Sequence, residues 1–359
     1  MHLFNKRDGE MLQAQKNKPC QDETLSSYLY RCQLKNDQRY SEIKSILNDF
    51  DHNWDQGFDP DYNYSQTGIK FMSAILECSV HDVIRMTSFN HYLLIQPRRS
   101  RRFFCPYCVL NDITLGRHPF WRKTWDDFLC VTCLEHVSPM SQLDESIVYS
   151  EKARVAFSKA CVDFTSFGPF CHQPRVLSLP SLETSAGAWA CLWLFGRHVQ
   201  YVLTTSKNKN VLMRGFLKGL PWADCCSAIE TTLGLSLRGH TKYFERRCLI
   251  YRALKSPTIY ERAVETKDGM QKIMHGLTIT NLTCRLFALL VVGIFWGMFT
   301  SAESDVLFRV LQRLDYSLPN NPRDLKRELL SSELTDYERV VEQLQATWPK
   351  HLRNYWLSC

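Results

Sequence analysis

The chain has 359 residues, enough for two or three domains. An apolar content of 45% with 12% aromatic residues excludes a disordered chain, and 44 basic against 37 acidic residues leave +7. That mild excess suits a nucleic-acid or ribonucleoprotein partner without requiring one. The start, MHLFNKRDGEMLQAQKNK, is polar and charged rather than a secretory signal, and residues 1–20 read as a flexible lead-in. With fifteen cysteines behind such a start, the expected compartment is the reducing cytoplasm, where thiols stay reduced or bind metal.

In chain order, QDETLSSYLYRCQLKN opens the first helix. Leu25, Tyr28, Leu29 and Cys32 follow the i, i+3, i+4, i+7 spacing of one helical face, and Asp22 or Thr24 is the expected cap. A second helix is predicted over 40–48 with Ile43, Ile46 and Leu47 inward, followed by a loop, DFDHNWDQGFDPDYNYSQTG. TGIKFMSAILECSVHDVIRMTSF predicts two short helices, one to about Glu77 and one to about Met86, with a break at Cys78–Ser79. This is the outline of a helix-turn-helix, or of a plain helical hairpin. His81 and Arg85 are its candidate DNA contacts. In QPRRSRRFF, the guanidinium groups of Arg98, Arg99, Arg101 and Arg102 are suited to holding phosphates, or the run is a solvated linker.

Beyond Met140 a polar stretch precedes helical pattern at 152–161. After a Pro-punctuated loop, a helix at 186–203 is expected to bury Trp189, Leu192, Trp193 and Val199. Further helices are predicted near 209–217, 222–233, 241–254, 258–265, 279–299, 303–314, 322–330 and 334–346. LFALLVVGIFWGMF, at 286–299, has 14 apolar or glycine residues, short of the roughly 20 that cross a bilayer, and is expected to be a buried core helix. The expected fold is mainly α: a helical helix-turn-helix-like unit (21–97), a small zinc-ribbon or zinc-finger insert (98–140), and a helical C-terminal domain (141–359) with room for a further helix-turn-helix.

The insert carries the chemistry. Cys105 and Cys108 in CPYC have the spacing of a zinc knuckle, in which two thiolates grip one ion. CVTCLEH, at 130–136, closes the site either as Cys133-x-x-His136 or as Cys130-x-x-Cys133, since zinc accepts both Cys₃His and Cys₄. Either way the four places are filled by protein, which makes the ion structural rather than hydrolytic. The intervening VLNDITLGRHPFWRKTWDDFL is expected to form short strands with a turn at Leu115–Gly116. Trp121 and Trp125 should pack over the site, and His118 belongs to an exposed turn.

Two pieces of this sequence resemble the TniQ family, the target-selection proteins of prokaryotic transposons that also include the larger TnsD proteins. One is DETLSSYLYR, like the family's acidic-then-Leu-Ser-Ser helix start. The other is CPYC, a Trp-bearing stretch, then CLEHVSPM, like its Cys-x-x-Cys … Trp … Cys-x-x-His. The resemblance spans about residues 20–140. It implies one structural Zn2+ held by Cys105, Cys108, Cys133 and His136, with Cys130 a buried thiol. The loop DFDHNWDQGF is similar to the subgroup of type I-F CRISPR-associated transposons. Some relatives carry a second zinc site, but here Cys161, Cys171 and His172 have unsuitable spacing.

The resemblance implies an adaptor, not an enzyme. Such a protein would sit as a homodimer on the crRNA-guided Cascade complex, near its Cas-seven-type backbone and crRNA-processing subunits, and recruit the AAA+ regulator TnsC and the transposase. Target DNA is a further candidate partner; a membrane is not. The alternative is a TnsD-like protein that binds an attachment site directly through Arg85 and the Arg98–Arg102 cluster, with Arg238, Lys242, Arg246 and Arg247 as further candidates. GxxxxGK[ST], HExxH and GxSxG are absent. Adjacent carboxylates such as Asp126 and Asp127 would point to opposite faces of a strand, a poor joint metal site.

Overall fold

The structure, a computed structural model, describes residues 18–33, 45–46, 59, 61–62, 64–88, 95–96, 101–144, 151–167, 184–209, 215–237, 249–254, 281–330 and 348–358. These are mostly helical, and the chain divides into two compact units. The first comprises Met1–Tyr92, Pro97–Asp127 and Met140–Pro174; the second comprises Leu93–Gln96, Phe128–Pro139 and Arg175–Cys359.

In the first unit, α1 (Leu25–Gln33) starts where Thr24 accepts the Ser27 amide on Oγ1 (3.4 Å) and the Tyr28 amide on its carbonyl (3.1 Å). Thr24 is therefore the cap. Asp22 serves another element: its carboxylate takes the amide (3.2 Å) and hydroxyl (2.7 Å) of Thr124, in the 3₁₀ turn Lys123–Asp126. Leu25, Tyr28 and Leu29 pack with Met72 and Leu76 of α2 (Gln66–Leu76) and Val83 and Met86 of α3 (Val80–Thr87). Ser65 caps α2, Ser79 caps α3, and Glu77 at φ 48 ends α2 as its amide and that of Cys78 turn back onto the last-turn carbonyls. The break expected at Cys78–Ser79 lies in this turn. The predicted helix at 40–48, apart from residues 45–46, and residues 49–58, 60 and 63 of the predicted loop at 49–68 lie outside the described residues; the loop's last three residues already belong to α2.

The polar side of α1 is tied down as firmly as its apolar side. Buried Glu23 takes a two-pronged contact from buried Arg31, at 2.7 and 2.5 Å. Ser26 gives its amide (2.7 Å) and hydroxyl (2.9 Å) to buried Asp61, and the Ser27 hydroxyl accepts the Trp121 amide at 2.8 Å. The acidic-then-Leu-Ser-Ser signature is thus a set of buried hydrogen bonds that holds α1 against the segment around Trp121. Trp121 stands edge-on to Trp125 (5.2 Å) and donates its indole N–H to fully buried Asp126 at 2.8 Å, which also accepts from the Tyr62 hydroxyl at 3.0 Å.

The stretch expected to form strands after CPYC is instead a helix, α4 (Pro106–Thr114), followed by the 3₁₀ turn. Pro106 at the first helical position and a capping Cys105 start it, and these local signals override the β-branched residues that suggested strands. The expected turn at Leu115–Gly116 is where α4 ends. Strand β1 (Phe103–Phe104) pairs antiparallel with β4 (Ser141–Gln142), and α5 (Lys152–Phe167) packs on α4.

In the second unit, β2 (Thr132–Cys133) pairs antiparallel with β3 (Ser138–Pro139). The helices are α6 (Ser185–Lys209), α7 (Trp222–Leu237), α8 (Leu249–Ala253), α9 (Leu282–Phe295), α10 (Ser301–Arg313), α11 (Pro322–Leu330) and α12 (Lys350–Ser358). Of the predicted helix at 209–217, Lys209 is the last residue of α6, Gly215–Leu217 form a 3₁₀ turn, and residues 210–214 lie outside the described residues. The predicted helices at 258–265 and 334–346 lie outside the described residues, and α12 was not anticipated. Asn281 caps α9 by accepting the Cys284 amide at 2.8 Å, and every residue from Cys284 to Phe295 is buried. No described helix is long and apolar enough to cross a membrane.

Helix α9 is the centre of this unit, packed by α6, α7, α8 and α11. At Gly196 of α6 a Cβ would come within 2.1 Å of Leu286 Cδ1, so the absence of a side chain lets α6 approach α9 closely. Leu192 and Val199 face the core, with Trp189 and Trp193 half-buried beside it. The one charge in α9, Arg285, lies fully buried over the Phe128 ring (4.9 Å) and donates to Gln96 Oε1 at 2.6 Å.

Candidate metal centre

The first two candidate ligands stand at the head of α4. Cys105 is its N-cap in an extended conformation, and its Sγ accepts the Cys108 amide at 3.5 Å. The turn that starts the helix therefore aims an N–H and the positive helix end at the Cys105 sulfur. Residue 104 anchors the approach: Phe104 is buried and meets the edge of Trp125 at 6.4 Å. Trp125, with Trp121 edge-on behind it, thus packs against the residue that precedes the knuckle.

The other two come from the β2–β3 hairpin. Cys133 ends β2, and its carbonyl accepts the Val137 amide at 2.9 Å, reversing the chain through Leu134, Glu135 and His136. Val137 closes this turn at φ 52, a left-handed conformation that a β-branched side chain resists. His136 Nδ1 lies 3.5 Å from Cys133 Sγ.

The ligand atoms of Cys105, Cys108, Cys133 and His136 all lie within 4.8 Å of one another. The three cysteines are buried and the histidine half-buried. A tetrahedral ion with metal–sulfur bonds of ~2.3 Å holds its ligand atoms ~3.8 Å apart, so this spacing fits one thiolate-binding ion. Cys130 is not in the group, although it is also buried; its thiol donates to the Thr132 carbonyl at 3.8 Å. Of the two closures open in the sequence, the structure assembles the one through His136. His118 lies outside the group as well.

The candidate nucleic-acid contacts fare differently. Arg101, 2% exposed, makes a two-pronged pair with Asp59 and lies over the Tyr62 ring at 4.8 Å. Asp59 thus occupies the fork that a phosphate contact at Arg101 would use. Arg85 lies on α3 as expected, half-buried, with contacts to Asp82 (3.0 Å) and the Pro19 carbonyl (3.1 Å). Arg102 lies beside Gln142, across the β1–β4 pair. Arg98, Arg99, Arg238, Lys242, Arg246 and Arg247 lie outside the described residues. Asp126 and Asp127 sit on or next to a 3₁₀ turn rather than a strand; both are buried and, among the described residues, neither joins a metal-binding group.

The helix start held to Trp121 and the complete four-residue cluster agree with a comparison against known families. Residues 15–139 match the TniQ family model. The matched span is about a third of the chain and includes α1 to α4 and all four cluster residues. Over it the chain is similar to TniQ, a domain found in transposition target-selection proteins. No curated protein and no solved structure matches the chain. Within the TniQ-like span, sequence reasoning passed over Asp61, whose only signal is its place in an acidic loop. Outside it, Gln200 was also missed; it contacts β2 from 68 positions beyond Thr132, and no local pattern marks it.

Proposed function

We propose that this chain is a non-catalytic target-selection adaptor in DNA transposition, of the kind carried by type I-F CRISPR-associated transposons. It works as a cytoplasmic homodimer seated on the crRNA-guided Cascade complex, against its Cas-seven-type backbone and crRNA-processing subunits. From there it recruits the AAA+ regulator TnsC and, through it, the transposase.

The observation that carries this reading is the four-residue cluster complete within the span that matches TniQ. Three thiolates and one imidazole fill the tetrahedron of a single Zn2+, leaving no place for an activated water, so the ion braces a surface. Guide pairing reads the target in such a system, and the adaptor needs no array of base-reading cations. The inward pairing of Arg101 with Asp59 and the contacts of Arg85 are in keeping with that. Purification of the full chain with its cognate crRNA complex tests the proposal: co-elution as a stoichiometric assembly is expected. No association, together with sequence-specific binding to naked DNA that falls steeply with salt, would overturn it in favour of a TnsD-like attachment-site binder.

A further inference from the structure

We propose that Gln200 is a positioning residue for the metal centre, locking the strand that presents Cys133 and linking metal occupancy to the helical core of the second unit. The inference rests on the cluster holding a metal ion.

Gln200 lies in α6 and is 1% exposed. Its Oε1 accepts the Val131 amide (3.1 Å), the Thr132 amide (3.0 Å) and the Thr132 hydroxyl (3.1 Å), while its Nε2 donates to the Thr132 carbonyl at 2.8 Å. One side-chain amide thus serves the polar backbone groups of the residue immediately before Cys133, as a neighbouring strand would. The need is local. Strand β2 is two residues long, and Pro139, opposite Thr132, has no N–H to give it. Buried backbone groups without partners are costly, and a two-residue ladder leaves a ligand free to turn.

Gln200 is fixed from behind. Helix α6 packs on α9 and α10, and neighbouring Val199 is wholly buried in their core. The chain of contact runs from core to α6, to Gln200, to Thr132, to Cys133. By linkage, ordering at either end favours the other by the same factor. Groups hydrogen-bonded to a metal ligand itself contribute about 10- to 100-fold in affinity, and Gln200 holds the residue next to one.

The test is Zn2+ affinity of the full chain, measured by competition with a chromophoric chelator. Gln200→Met keeps the length and loses the hydrogen bonds, and is expected to weaken Zn2+ binding about tenfold or more. Gln200→Glu, which sets a carboxylate oxygen against the Thr132 carbonyl, is expected to weaken it as well. Val199→Ala removes core packing from the same helix without touching β2, so it acts on the metal only through Gln200 and should weaken Zn2+ binding clearly less than Gln200→Met does. Equal loss in Gln200→Met and Val199→Ala, or no loss in Gln200→Met, would overturn the proposal. Should Gln200→Met fail to fold, amide exchange in the unaltered chain decides: protected Val131 and Thr132 amides are expected, and fast exchange would overturn it. An unaltered chain that binds no Zn2+ would refute the underlying metal reading instead.

Discussion

Cys133 and Cys130 lie three residues apart, and both are buried, yet only Cys133 belongs to the cluster. Cys133→Ala should therefore abolish stoichiometric zinc and leave a poorly folded, insoluble protein, because structural zinc contributes directly to folding. Cys130→Ala should keep its zinc and lose on the order of 1 kcal/mol, the cost of a small cavity. Zinc content and urea unfolding of the two variants check this, and equal damage would point to a Cys₄ site. Asp126 makes a second case at this scale. Burial pushes its carboxyl up to about 6, although Lys152 and Arg101 pull the other way. A carboxyl raised in the folded state holds its proton better there than in the unfolded chain. The stability it contributes is full below an unfolded value of ~4 and is lost as pH rises through 6. Asp126→Asn keeps an acceptor for the Trp121 indole and cannot ionise. Relative to the unaltered chain it should gain on the order of 2 kcal/mol between pH 4 and pH 7, read from urea unfolding at each pH. A difference that stays flat with pH would contradict this.

At the scale of elements, the 3₁₀ turn at Gly215–Leu217 depends on one backbone position. Gly215 has φ 65, and a Cβ there would meet the Trp296 carbonyl oxygen at 2.1 Å and that of Gly297 at 2.4 Å. These are backbone atoms just past α9, so the clash has no flexible side chain to absorb it. Gly215→Ala should cost at least about 2 kcal/mol, visible as a lowered midpoint in thermal unfolding. How much of the fold was legible depends on how local each signal is. Leu25, Tyr28 and Leu29 announce α1 by their spacing, and Cys78–Ser79 marks the turn between α2 and α3, because helix faces and caps are written in neighbouring residues. Cys105 and Cys108 were legible as a knuckle for the same reason. The helix they start was not, since Val109, Ile113 and Thr114 taken alone favour strand. The choice of His136 over Cys130 needed a family resemblance or coordinates, because both spacings satisfy a tetrahedral ion. Gln200 and Asp61 act on residues 68 and 35 positions away, a distance over which no periodicity speaks. The Arg101–Asp59 pair was not legible, because a run of arginines reads the same whether the partner is an outside phosphate or an Asp of the chain itself.

At the scale of the whole molecule, the hydrogen-bonded helix start, the four-residue cluster and the match to TniQ fall within one third of the chain. The second unit contributes a core around α9 and, through Gln200, a brace on β2. Under the proposed function the chain works by presenting surfaces, and the four cluster residues would close the coordination of one ion. X-ray absorption at the zinc edge of the purified full chain tests that claim most directly. The expected result is one zinc per chain with three sulfur ligands at ~2.3 Å and one nitrogen ligand at ~2.0 Å. An oxygen ligand from exchangeable water, or a chain that carries no zinc, would contradict the account.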